Sequence, residues 1–428
     1  MRDFRARPSL GAAATVLLAC LPGGPADPSA GVNVTAADVA SVLLVAVAFA
    51  MLVTAPGAAR LPVRALALAP VAGAVTVATL ASPDMAASLP GHLRYLQVFV
   101  LVPLAVLVTV RDRADVLIVG GALVGAAGVQ GAVGCVQALT GTGASYAGER
   151  VRAVGTFGAP DVMGMATLVS YGVIILLAAG LMLRGRRRAG VLAGAALLCV
   201  PLALSLSRGA WLALAGAAVV VLFLHSRVLA ARVVLLGVVA AIVLAVGPGI
   251  GPDVLGQRLT SLTTTVSQPD QSVRDRYRLW AAAVDMWLDH PVTGAGPRRF
   301  AQLRDTYAPI ELSAGSDTDD PVNGFQRRPL LSPHNLYLLV LSELGLLGLC
   351  SFGLFLGSMA WWAARGIAPV AAGLLAWQLI TFVQGDIGGP TTLVMAVVLG
   401  LVLSLVARPG VLATGDALRP GLARGAVR

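Results

Sequence analysis

The chain has 428 residues, 57% of them apolar and only 12% charged, with a mean hydropathy of +0.83. Soluble domains carry roughly 25% charged residues, so a single soluble domain is excluded, and so is a disordered chain, which needs low hydrophobicity and high charge. An all-α polytopic membrane protein remains, and the placement of the arginines argues against reading the net charge of +10 as a nucleic-acid signal.

Apolar runs close to the roughly 20 residues that cross a bilayer recur along almost the whole chain. In order, they predict spans near 9–22, 38–55, 65–81, 93–110, 115–139, 161–183, 189–206, 209–225, 233–250, 334–357, 367–385 and 390–407, about twelve transmembrane helices. The first is short and follows Arg2, Arg5 and Arg7, so it also resembles a signal peptide, and Leu17-Leu18-Ala19-Cys20 resembles a lipoprotein cleavage site. An uncleaved span is the expectation. Cys20, Cys135, Cys199 and Cys350 lie far apart inside apolar runs. They read as buried free thiols, with no zinc or iron–sulfur spacing.

All 31 basic residues are Arg, and 18 of them fall in short segments that this span order places on one side. The short segments opposite keep only Arg94, Arg150, Arg152 and Arg208. That asymmetry predicts both termini in the cytoplasm. The other nine arginines lie in one long extracytoplasmic loop, 251–333, which is exempt from the orientation rule because long loops translocate regardless of charge. The expected organisation is nine spans over 1–250, the loop over 251–333, three spans over 334–408 and a cytoplasmic tail over 409–428. Asp317, Asp319 and Asp320 sit among Gly, Ser and Thr and are expected to form a solvated loop tip.

Four sites on the outer side hold most of the unusual polar residues. The first runs from Arg152 to Asp161 through Gly155, Gly158 and Pro160, and suits a tight re-entry turn, with Arg152 as a substrate contact or an interfacial anchor. The second, Ser205 to Trp211, places Arg208 at a helical hairpin on the face where the topology rule least favours Arg. It either snorkels or serves a ligand. The third spans Ser272 to Asp289, where Ser272-Val273-Arg274-Asp275 reads as a capping box and His290-Pro291 ends the helix. At 100° per residue, Arg276, Leu279, Trp280, Ala283, Val284 and Trp287 share one face, and Arg274, Arg278, Asp285 and Asp289 the opposite one. Arg274 and Arg278 are then expected to pair with Asp285 and Asp289, leaving Arg276 as a cation on the apolar, inward face. The fourth opens span ten: Ser332 reads as the cap, Pro333 as the first helical residue, and His334 falls in the first turn. There the helix dipole would disfavour imidazolium. A structural hydrogen-bonding histidine is the alternative. Glu343, deeper in the same span, is an intramembrane acid and so a functional candidate.

Gly155-Thr156-Phe157-Gly158, Ser207-Arg208-Gly209-Ala210-Trp211, Arg276-x-x-x-Trp280, Asp289-His290-Pro291-x-x-Gly294-x-Gly296, and His334-Asn335-Leu336-Tyr337 through Ser342-Glu343-Leu344-Gly345 together resemble the O-antigen ligase family, which also contains polymerases and protein O-oligosaccharyltransferases. The resemblance covers roughly 150–350, with Asp161 standing where the family usually has Asn. It implies a GT-C-like, metal-independent, inverting glycosyltransferase without a cofactor. The enzyme would move a glycan from a polyprenyl (undecaprenyl) diphosphate carrier to a hydroxyl of a glycan, lipid or protein acceptor, at the outer face of the inner membrane. Under that resemblance Arg208 and Arg276 bind the diphosphate, His334 is the catalytic base, and Arg152, Arg278 and Glu343 are further substrate contacts. Ligase and polymerase fit the sequence alike. A twelve-span transporter or flippase is the rival of another class, and a peptidoglycan polymerase the rival within glycan chemistry. The polar residues gathered on one membrane face argue against the transporter, and the motif set favours the ligase family over the peptidoglycan polymerase.

Overall fold

A computed structural model describes residues 7–22, 34–54, 61–146, 151–158, 161–246, 271–312, 315–320, 324–366, 368–389 and 391–411. The N-terminal helices are α1 (Leu10–Ala19), α2 (Ala36–Thr54), α3 (Ala69–Leu80), α4 (Met85–Leu96), α5 (Val102–Thr109), α6 (Arg113–Thr140), α7 (Val162–Met182), α8 (Gly185–Leu204), α9 (Arg208–His225) and α10 (Arg227–Val246). There follow α11 (Gln271–Asp289), α12 (Phe300–Tyr307), α13 (Leu336–Arg365), α14 (Pro369–Thr381) and α15 (Thr391–Ala407). A small sheet joins β1 (Ser145–Tyr146), β2 (Ser316–Asp320) and β3 (Gly324–Arg328) in antiparallel order. The regular structure among the described residues is therefore helical apart from this patch.

Eight helical segments among the described residues are long and apolar enough to cross a membrane. The expected first, eleventh and twelfth spans coincide with α1, α14 and α15, which are apolar but only 10, 13 and 17 residues long. In α15 almost every residue from Thr392 to Val406 is buried, as befits a helix that is hydrophobic all round; it is the central post of the bundle. By contrast α2 and α6 present Val42, Leu43, Leu117 and Val129 outward, which suits a lipid-facing surface. Cys199 and Cys350 are exposed on that outer surface rather than buried, while Cys20 and Cys135 are half-buried; all four are free thiols.

The segment expected as one long loop contains real structure wherever it is described: α11, α12, β2 and β3. Residues 251–270 of that expectation lie outside the described residues, as does the tail over 412–428. The acids expected at a solvated tip instead form strand β2, with Asp317 opposite Arg327 and Ser316 opposite Arg328 in register. β1 closes the other edge through Ser145 and Asp319.

One feature of α13 shapes everything near it. The helix is broken at Gly345, whose φ of 65° and ψ of −163° are not helical, in a region of backbone space open essentially to glycine alone. Backbone groups freed in a membrane cost several kcal/mol each unless re-satisfied. The 290–296 loop satisfies them. Leu346 and Leu347 donate to the Pro291 and Val292 carbonyls (2.9 and 3.1 Å), while Ala295 and Gly296 donate to the Ser342 and Glu343 carbonyls (both 2.9 Å). A Cβ on Gly345 would lie 2.3 Å from the Val292 oxygen, and one on Gly294 2.3 Å from the Glu343 carbonyl carbon. The two glycine-bearing motifs at 289–296 and 342–345 are thus two halves of one backbone junction.

Candidate active site

His334 does not sit in the first turn of a helix. The cap is Asn335, whose side chain accepts from the Leu338 amide (3.2 Å), and α13 begins at Leu336. His334 precedes it with φ +48°, its own amide donating to the Ser332 hydroxyl (3.3 Å). Two tertiary contacts decide between the competing cap residues. The Trp280 indole donates to the Pro333 carbonyl (2.9 Å), and the Leu336 amide donates to the carbonyls of Phe382 and Gly385 (2.8 and 3.0 Å). Both hold the chain extended up to His334, so the helix starts only after it.

Arg276 lies one helical turn before Trp280, and the side chain is half-buried. The spacing Arg-x-x-x-Trp therefore lets one residue pin the histidine loop while the other brings a guanidinium to the same place. The helix face is rotated from the expected one. Asp275, Leu279, Ala282, Ala283 and Met286 are buried, because α12 and α13 both pack on α11 and it does not lie flat on a single surface. Arg278 is accordingly not a solvated partner of Asp285 or Asp289. It binds Asp275 (3.4 Å) and the Glu311 carbonyl, whereas Asp289 accepts the Tyr307 hydroxyl (2.8 Å). The Ser272 side chain of the expected capping box lies outside the described residues.

Asp386, which the sequence reading passed over, completes the group. Its carboxylate acts electrostatically on both His334 and Arg276, and its Oδ2 is buried with no hydrogen-bond partner among the described residues. Burial holds His334 below the ordinary histidine value of 6.5; Asp386 opposes that shift and Arg276 adds to it. Burial also lowers Arg276, with Asp386 again favouring its charge. Desolvation and a neighbouring cation both favour the neutral imidazole.

The 382–391 loop that carries Asp386 is a meeting point of helix N-termini. It holds the start of α13 through the Leu336 amide. Gln384 packs against Gly209 at the start of α9, so closely that a Cβ on Gly209 would meet its amide oxygen. Thr391, which opens α15, donates to Asp161 (2.7 Å) at the start of α7; burial raises the Asp161 carboxyl, and hydrogen bonds from Thr391 and Gly164 oppose the rise. The Ser207 hydroxyl in turn reaches the Met163 sulfur (3.0 Å). The starts of four helices thus gather at this loop, and helix N-termini favour anions. Three non-glycine residues with positive φ are Leu206, Arg298 and His334; two of them flank or form this meeting point, and such strain gathers at functional sites.

Comparison with known families adds one finding. Residues 193–353 match the O-antigen ligase family. No curated protein matches the chain. The O-antigen ligase segment contains Arg208, Arg276, Arg278, His334 and Glu343, while Arg152 and Asp386 lie outside it.

Arg276 and His334 are brought together around Asp386. Arg208 is exposed at the first position of α9, on the rim next to Gln384. Arg278 is turned away toward Glu311. Both oxygens of Glu343 are engaged by the protein, Oε1 by the Phe300 amide (3.1 Å) and Oε2 by the Tyr95 hydroxyl (3.0 Å), tying the far end of the 290–300 loop to α13 and α4. Arg152 pairs through its backbone with Ala144 (2.8 and 3.0 Å) just before the Gly155 turn. That turn is held from α6, with Gln137 accepting the Val154 and Gly155 amides (3.0 and 2.9 Å) and Gln130 the Thr156 amide (2.8 Å). Among the described residues no three His, Cys, Asp or Glu side chains converge. Asp386 left a faint signal in the sequence: Gln384-Gly385-Asp386-Ile387-Gly388-Gly389 is a polar, glycine-rich break between two apolar runs, and the expected span over 367–385 had absorbed its first half.

Proposed function

We propose that this protein is a GT-C-like membrane glycosyltransferase of the O-antigen ligase type, acting as ligase or polymerase according to its acceptor. It transfers a glycan from a polyprenyl diphosphate carrier to an acceptor hydroxyl at the outer face of the inner membrane, with both termini in the cytoplasm and about twelve spans. The observation that carries the reading is the grouping of Arg276, His334 and Asp386 at a meeting point of helix N-termini, on the O-antigen ligase segment and its neighbouring loop.

The reaction is a single displacement. The acceptor oxygen attacks the anomeric carbon as the bond from that carbon to the diphosphate oxygen breaks, and the electron pair leaves with the diphosphate. Arg276, with Arg208 closing from the rim, holds the leaving group through the planar guanidinium fork that matches phosphate oxygens. The four helix ends add fixed positive potential that needs no reorganisation during the step. His334, kept neutral by burial and by Arg276, takes the acceptor proton. Asp386 then faces the imidazolium that forms and offsets its charge, while its open oxygen is free to align the acceptor hydroxyl. The anomeric centre inverts. With two guanidiniums on the diphosphate, a divalent cation would be redundant.

Glu343 and Arg278 serve the scaffold in this reading. Purified full-length protein with a lipid-linked donor tests it. His334→Ala should bind donor normally yet lose transfer by a factor on the order of 10²–10⁴, the usual worth of a general base. Full activity in that variant, loss of activity with EDTA, or a retained anomeric configuration would each refute the mechanism.

A further inference from the structure

Asp386 is placed by the backbone on either side of it. Its Oδ2 has no hydrogen-bond partner among the described residues, so that oxygen does not fix the side chain. Upstream, the Gly385 carbonyl accepts the Leu336 amide (3.0 Å) and Gln384 packs on Gly209. Downstream, the chain runs past Asp161, the residue before α7. The Asp161 carboxylate accepts the Thr391 hydroxyl (2.7 Å) and the backbone amides of Thr391 and Gly164. Gly389, with φ +73°, passes so close that a Cβ there would lie 2.8 Å from the Asp161 Oδ2. One side chain therefore joins the start of α7 to the start of α15, at Thr391, five residues after Asp386.

We infer that Asp161 is a positioning residue for Asp386: it clamps the downstream end of the loop to α7 and so holds the Asp386 carboxylate at His334. The effect on turnover rests on the proposed mechanism. The chemistry of the clamp suits a carboxylate, because all three groups that meet it are donors and an ionised carboxyl only accepts. Those bonds favour its charged form, which burial opposes. The loop needs such a hold. Gly385, Gly388 and Gly389 surround Asp386, and glycine leaves a backbone free to take many conformations. Asp386 on this loop and Arg276 on α11 are the charges that act on His334. In the proposed step Asp386 offsets the imidazolium that forms, whereas donor binding falls to Arg276 and Arg208. A slack loop should therefore lower kcat and leave donor KM as it was.

The test reads the imidazole directly. The chain has four histidines, so full-length protein carrying isotope-labelled histidine in detergent gives few ring signals by NMR, and His334→Gln identifies the one that matters. Asp386→Asn should lower its titration midpoint, because the carboxylate favours the imidazolium. Thr391→Val keeps the Asp161 charge and removes the hydroxyl donor. That variant and Asp161→Ala should lower the midpoint by a large part of the Asp386→Asn shift, while Thr391→Ser titrates like the wild type. In an Asp386→Asn background neither change should move the midpoint further, which separates a clamp from a direct field of Asp161. Turnover in the two clamp variants should fall by up to about 10²-fold, the cost of a small misplacement, at unchanged donor KM. Should Asp161→Ala not fold, Thr391→Val and Gly389→Ala carry the same test, since the alanine methyl pushes the loop off Asp161 without removing a charge. Wild-type midpoints in the clamp variants, or shifts that persist in the Asp386→Asn background, would overturn the inference. The two ideas fail separately, because the titration needs no substrate. The expected shifts in a protein that transfers no glycan sink only the proposed activity, while unmoved midpoints in a protein that does transfer sink only the clamp.

Discussion

Replacing Gly345 by alanine probes the junction on which the site is built. The residue has φ +65° and ψ −163°, a region where a Cβ costs an L-residue about 1–3 kcal/mol. The new methyl would also lie 2.3 Å from the Val292 oxygen, so the 290–296 loop must back away from α13. Retreat breaks the bonds from Leu346 and Leu347 to Pro291 and Val292, each worth about 0.5–1.5 kcal/mol net. The sum is roughly 2–6 kcal/mol, a large share of the roughly 5–15 kcal/mol that holds an ordinary domain together. Thermal unfolding in detergent, followed by tryptophan fluorescence, should show a clear fall in midpoint. Gly294→Ala should cost a similar amount, since its Cβ meets the Glu343 backbone. The double variant should cost less than the sum, because the first substitution already separates the two backbones. Gly120→Ala, with open space around it, should be neutral or slightly stabilising. A Gly345→Ala protein that melts like Gly120→Ala, or strict additivity in the double variant, would refute the junction.

Three further outcomes follow from the site. Transfer should follow pH with an acidic limb below the ordinary histidine range, because the base is the neutral imidazole and burial lowers His334; Asp386→Asn should move the limb to lower pH and Arg276→Ala to higher pH, and the opposite order in rate–pH profiles would reject the electrostatic assignment. Trp280→Phe removes the indole donor to Pro333, so kcat should fall while inorganic diphosphate binds as before, and an unchanged kcat would show that the bond positions nothing. Glu343→Gln should lower the melting midpoint and spare the donor KM, since both carboxylate oxygens serve the protein; a selective rise in KM would make Glu343 a substrate contact after all.

Eight of the expected spans and the motif pieces were legible in the sequence, because a span needs only length and apolarity and because Arg276, Trp280 and His334 announce themselves by type and spacing. Tertiary competition was not legible. Ser332 and Asn335 are both good caps, and the choice between them is made by Trp280 and Phe382, residues remote in sequence. The inward face of α11 was misjudged by roughly one residue because a hydrophobic stripe does not reveal that two helices pack on it. Strand β2 hid within an acid-rich stretch whose partner arginines lie beyond the turn. Asp386 was hidden for another reason: it belongs to a break between apolar runs, where one acid in a glycine-rich loop carries no pattern.

A membrane enzyme that must stabilise a diphosphate has few charged residues to spend, since each cation kept near hydrocarbon is costly. This chain concentrates positive potential without many cations, by turning the starts of α7, α9, α13 and α15 toward one loop. Backbone dipoles cannot be lost by deprotonation, and they leave no trace in residue identity. In the proposed reaction Arg276 supplies the directional fork, and a single carboxylate at Asp386 balances the imidazolium that appears during the step. The broken α13 belongs to the same economy: the 290–296 loop can dock against a membrane helix only where glycines let two backbones complete each other's hydrogen bonds, and Phe300 beyond that loop anchors to Glu343, nine residues along α13's chain from His334.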